Sequence, residues 1–162
     1  MNSAVQIISL VFGTVIAVAA QDLSPVFAGV KLPFVAVAVM FTAFHAPMAM
    51  ALGSAFVSGL FVDALAGQPV LCATSLLPLL AMGAHFTRRQ VQDIAPATLG
   101  AVSTMIAAVL GETWLAACGF ASADSNLFVR ACAAAVLSVP TGAVLFCLLP
   151  AIGRSAGIGD ME

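Results

Sequence analysis

Charge is what this chain of 162 residues has least of: only 7% of it is Asp, Glu, Lys or Arg. A soluble domain of that length needs a charged exterior, so a water-soluble globular protein, and with it most soluble enzymes, is excluded. The net charge is −2 and the five basic residues are scattered. That excludes a nucleic-acid interface, which needs clustered Lys and Arg. No C-x-x-C spacing occurs, and no histidine stands at zinc-ligand spacing from Cys72, Cys118, Cys132 or Cys147. The cysteines therefore read as small, buried apolar residues without metal or disulfide partners. No strand-length alternation of polar and apolar residues appears, which excludes a membrane β-barrel, and no long internal repeat supports an inverted-repeat transporter core. Neither Lys nor Arg precedes the first apolar run, so the small residues Ala17-Val18-Ala19-Ala20 before Gln21 read as part of an uncleaved first span and not as a signal-peptide cleavage site.

What is abundant is apolar surface: 62% of the residues are hydrophobic and the mean hydropathy is +1.15. Bilayer thickness sets roughly 20 apolar residues per crossing, and the apolar runs lie near residues 3–20, 33–46, 48–66, 70–86, 96–118 and 127–150. Only helices or closed barrels satisfy backbone polar groups in hydrocarbon. The expected fold is therefore all-α, one integral membrane bundle of about six transmembrane helices occupying residues 1–162. The second and third runs are short for crossings and are joined by the turn at His45-Ala46-Pro47. They read either as two thin or tilted spans or as one re-entrant hairpin, and two spans is preferred. Six spans place both termini on the side of Arg88, Arg89 and Arg154, against Lys31 and Arg130 on the other. The positive-inside tendency then makes both termini cytoplasmic.

Acidic groups inside a span are costly and usually face protein or water. Asp63, Glu112 and Arg130 form the candidate intramembrane polar cluster. Each lies on an i, i+4 row of small residues: Ala51, Ala55, Gly59, Asp63, Gly67; then Gly100, Thr104, Ala108, Glu112, Ala116; then Arg130, Ala134, Ser138, Gly142. Such rows let helix backbones approach closely. Pairing of Arg130 with Glu112 or with Asp63 is open at this point. An ion pair that fixes helix register is preferred to a ligand or ion site and to simple interfacial exposure. His45 and His85 read as interface residues and Trp114 as a headgroup-level anchor. Pro78 and Pro140 predict kinks that free carbonyls near Thr74 and Val136. No nucleophile with a base, phosphate loop or metal cluster can be assembled, so neither an enzyme nor a cofactor is expected.

One stretch carries more. Leu32-Pro33 through Leu80 holds an apolar span ending at Ala46-Pro47, then Gly53, then Gly59-Leu60-Phe61-Val62-Asp63-Ala64-Leu65-Ala66-Gly67, then another apolar span. This resembles the rod shape-determining protein MreD family, whose small, roughly six-span members show a G-L-x-x-D-x-x-x-G segment after a proline turn. Thr42-Ala43-Phe44-His45 stands where many members carry a tryptophan and an arginine. The resemblance implies a non-enzymatic inner-membrane scaffold subunit of the bacterial cell-elongation machinery, which sets rod shape through peptidoglycan synthesis. It implies binding to the membrane-anchored partner MreC, coupling to the polymerase RodA and its transpeptidase, and an indirect link to MreB filaments. Gly53, Ala55, Gly59 and Gly67 are the expected helix-packing positions. The alternative from a different class is the substrate-binding subunit of an energy-coupling-factor vitamin transporter, in which Asp63, Glu112 and Arg130 would line an outward-facing pocket.

Overall fold

The computed structural model of the protein describes residues 3–24, 26, 31–66, 71–91, 93–118 and 127–155. Among these, every regular element is helical: α1 (Ser3–Leu23), α2 (Phe34–His45), α3 (Met48–Ala66), α4 (Cys72–Thr87), a 3₁₀ turn (Arg88–Gln90), α5 (Pro96–Ala117) and α6 (Leu127–Ser155). Six apolar runs thus become six helices, and among the described residues three contain segments long and apolar enough to cross a membrane: Met48–Leu65, Pro96–Ala117 and Leu127–Pro150. Pro33 and Pro47 stand just before α2 and α3, and Pro96 opens α5. A proline costs nothing at a helix start, because the first N–H groups have no intrahelical acceptor.

The 12-residue α2 rises only about 18 Å, against roughly 30 Å of hydrocarbon core. Its place in the bundle explains how so short a helix is tolerated. α2 is the central helix and touches all five others. Val35, Val37, Val39, Met40, Ala43 and Phe44 are buried around it, with Val18, Ala51, Ala55, Leu77, Ala81, Ala84, Ala107 and Phe146 completing the core. Its start lies against the end of α1 and its end against the end of α4. The α2–α3 hairpin therefore runs the depth of the bundle.

The outside of the bundle is apolar. Phe12, Ile16, Phe56, Leu65, Phe86, Phe128, Val136 and Leu148 all stand exposed, which favours a hydrocarbon solvent over water.

The most extensive helix contact is between α5 and α6, and it is built by small residues in register. A Cβ on Gly100 would strike the carbonyl oxygen of Gly142 and lie 2.6 Å from Phe146 Cβ. One turn along, Thr104 donates its hydroxyl to Ser138 O at 3.0 Å. Two turns further, Glu112 meets Arg130 at 3.0 Å. Each step of four up α5 is answered by a step of four down α6, so two rows read separately from sequence are the two sides of one antiparallel seam. Helical structure runs through Pro78 in α4 and Pro140 in α6. Beside the latter, Thr141 donates to Leu137 O at 2.9 Å. α6 also continues past Pro150, five residues beyond the expected end, to Ser155.

Candidate functional site: a polar belt at one end of the bundle

The odd-numbered helices end where the even-numbered ones begin, and there the polar groups collect. A helix start has N–H groups without intrahelical acceptors, and in an apolar surrounding each one left bare is costly. Neither α2 nor α4 supplies its own side-chain cap, since Pro33 and Leu71 occupy the N-cap positions. Both borrow one. Gln21 near the end of α1 accepts the Val35 N–H on Oε1 at 3.0 Å. Asp63 near the end of α3 accepts the Ala73 N–H on Oδ1 at 2.9 Å, and the Thr74 N–H and hydroxyl on Oδ2 at 2.8 and 2.7 Å. Asp63 is 2% exposed, yet its carboxylate has three donors and the positive end of a helix dipole against it.

Gly59, one turn before Asp63, makes that cap reachable. A Cβ there would lie 2.5 Å from Thr74 Cα and 2.7 Å from Thr74 N. Glycine and aspartate on one face of α3 thus form one device: the first clears room for the first turn of α4 and the second holds it. The third clasp is ionic. Arg130 Nη2 lies 3.0 Å from Glu112 Oε2, with the glutamate side chain 11% exposed and the arginine 31%. Arg130 Nε and Glu112 Oε2 are buried without a hydrogen bond of good geometry. The pair is held by charge, with hydrogen-bonding capacity left over.

The structure thus separates the three charges predicted as one cluster. Arg130 pairs with Glu112, and Asp63 belongs to α4, whose uncapped start offers the carboxylate three donors. Ala55 is fully buried, as is Ala51 at 1% exposure. Gly53 is exposed, and nothing lies within 4 Å of where its Cβ would be, so in the bundle it is not a packing contact. Gly67 lies outside the described residues. Cys72 is buried and Cys118 partly so, but Cys132 and Cys147 are exposed on α6, against the reading of all four as buried.

Between the clasps lies a cavity of about 250 Å³. Its walls are mostly apolar, with Gln21, Lys31, Glu112 and Trp114 as the polar groups around it. Lys31 is tied to Asp22 at 2.6 Å near the rim. Among the described residues, no three His, Cys, Asp or Glu side chains gather where a metal ion could sit.

At the opposite end, histidines do the matching work at a helix terminus. His85 Nδ1 lies 3.2 Å from Ala43 O, one of the carbonyls left over in the last turn of α2. His45 bonds within its own helix to Phe41 O at 2.9 Å and stacks on the Phe41 ring at 4.2 Å. Phe146 packs edge-on against Phe41 and Phe44. Sequence reading placed His85 at an interface; the structure makes it a cap between helices far apart in the chain. It also missed Gln21, noted only as following the small residues of the first span. The signal available was a polar residue within a turn of a helix end, followed by a helix start with proline at N-cap.

Comparison with protein-family models, curated proteins and solved structures finds no match to this chain.

Proposed function

We propose that the chain is a multi-pass protein of the bacterial inner membrane, with cytoplasmic termini. In this reading it is a non-catalytic scaffold subunit of the cell-elongation machinery, of the MreD kind, that binds an MreC-like partner by helix packing. The observation that carries this reading is that the buried charges are engaged by the chain itself. Asp63 is used up by the start of α4 and the charge of Glu112 is paired with Arg130. A scaffold needs rigid helix faces and self-paired charges, and its long apolar helices can then recruit a partner's span through close packing. Coupling to a RodA-type polymerase, its transpeptidase and MreB filaments follows from the same reading through that partner.

A second reading is favoured by one specific observation. The cavity beside Glu112, with Trp114 at its wall and Oε2 without a hydrogen bond, is what a substrate-binding subunit of a vitamin transporter would use. A ligand donor group placed there would complete the carboxylate's bonding.

The test is affinity purification of the tagged full-length protein from gently solubilised native membranes, with mass spectrometry of what accompanies it. Recovery of an MreC-like elongation protein supports the scaffold. Recovery of an ATPase-bearing transport module, or of a bound small molecule, overturns it in favour of the binding subunit.

A further inference from the structure

We infer that the cavity between the clasps is a site for a small neutral molecule, an apolar or single-ring body carrying one N–H or O–H group that donates to Glu112. This names the ligand class for the second reading above and rests on that reading for the site's use, while the chemistry of the site is tested apart from any partner. Four helices supply the apolar wall, among them Val35 of α2, Val62 of α3, Leu80 of α4 and Ala108 of α5. The volume of about 250 Å³ lies just below the range of drug-sized pockets. At roughly 30 Å³ per water-sized group it holds about eight such groups, the size of one substituted ring. Trp114 at the wall offers an aromatic face to such a ring.

The polar groups around the cavity decide the ligand's charge. Gln21 Oε1 is engaged by the Val35 N–H, Lys31 is tied to Asp22, and an indole can only donate. Glu112 is different: its Oε2 is buried and ion-paired, yet accepts no hydrogen bond. A carboxylate oxygen in that state has capacity for a donor. An anion placed beside it would be repelled. A cation would compete with the Arg130 guanidinium and leave three charges in an apolar setting. A neutral N–H or O–H adds the missing bond and no charge. Gly111, next to Glu112 and also on the wall, keeps the space open, since nothing lies within 4 Å of where its Cβ would be.

Trp114 is the protein's one tryptophan, so its fluorescence reports on this cavity. The experiment uses the full chain in proteoliposomes and two contact quenchers of similar size, 4-bromobenzyl alcohol, which has a hydroxyl to donate, and 4-bromotoluene, which has none. Saturable quenching by the alcohol is expected, at a half-saturating concentration about tenfold below that of the toluene once each is corrected for partition into the bilayer, as one hydrogen bond to a charged acceptor allows. Gly111→Leu, which fills the space, should abolish the saturable part, with circular dichroism confirming that the variant is helical. Quenching that rises without saturation in the wild type overturns the site. Equal half-saturation by the two probes means that any apolar molecule enters, a lipid acyl chain included, and overturns the donor-specific site; this comparison needs no variant. Saturable quenching that persists in a helical Gly111→Leu places the probe outside the cavity and also overturns it. No partner is present in the vesicles, so failure here is distinct from failure of the transport reading, which shows in the affinity purification as an elongation protein in place of a transport module.

Discussion

Asp63 accepts three hydrogen bonds from a helix to which it does not belong, and the cost of removing it follows from what would be left bare. Asp63→Ala strands the Ala73 and Thr74 N–H groups in an apolar setting, where unsatisfied donors cost about 1–3 kcal/mol each. A loss of roughly 2–5 kcal/mol is expected, measured by reversible unfolding in mixed detergent micelles. Asp63→Asn keeps an acceptor oxygen and should recover part of it. An alanine variant within about 0.5 kcal/mol of wild type would show that water reaches these donors. The neighbouring glycines give a sharper contrast. Gly59→Ala forces a Cβ against the Thr74 backbone and should cost about 1–3 kcal/mol as overpacking, and Gly59→Leu more. Gly53→Ala has open space around it and gains helix propensity of up to about 1 kcal/mol. Opposite signs at two glycines of one helix are expected; equal effects would remove the close approach from the argument. For Glu112 and Arg130, neutralising either alone leaves a buried charge unpaired, so Glu112→Gln with Arg130→Gln should be milder than the sum of the singles. A double-mutant cycle should return a coupling on the order of 1 kcal/mol, tempered by the arginine's partial exposure; additive losses would count against pairing.

At the level of elements, the α5–α6 seam is a register device. Gly100 opposes Gly142, Thr104 bonds Ser138 O, and Glu112 pairs with Arg130. A slip of one turn would break all three contacts at once. Gly142→Leu should therefore separate the helices as well as destabilise them. Cysteines placed at Val102 and Val139, both exposed beside the seam, can carry spin labels, and the distance between them should lengthen in that variant. An unchanged distance would mean that the seam tolerates bulk. The same scale shows where legibility stopped. The small-residue rows at 51–67, 100–116 and 130–142 were readable because i, i+4 spacing is a property of one helix. Which row faces which was not, because it depends on crossing geometry between helices. His85 reaching Ala43 and Gln21 reaching Val35 are the same kind of fact: a single residue's type carries no record of a carbonyl or N–H brought to it from another helix.

For the whole molecule, composition was the strongest source of information. So low a charged fraction admits few solvents, and the exposed surface of the bundle is apolar in consequence. The six runs and their all-helical fate followed from the need of backbone groups for internal partners in an apolar medium. The central position of α2 did not follow. Its 12 residues looked short for a span, and only the packing of five helices around it accounts for a short helix at the middle. The sequence alone determined the helical class, the number of helices and the presence of acidic groups within apolar segments, because these depend on residue type and local spacing. Tertiary structure alone decided that Asp63 serves α4 and that Arg130 serves Glu112. Those pairings are set by which helix ends the fold brings together, where an unmet donor or charge takes the nearest complementary group.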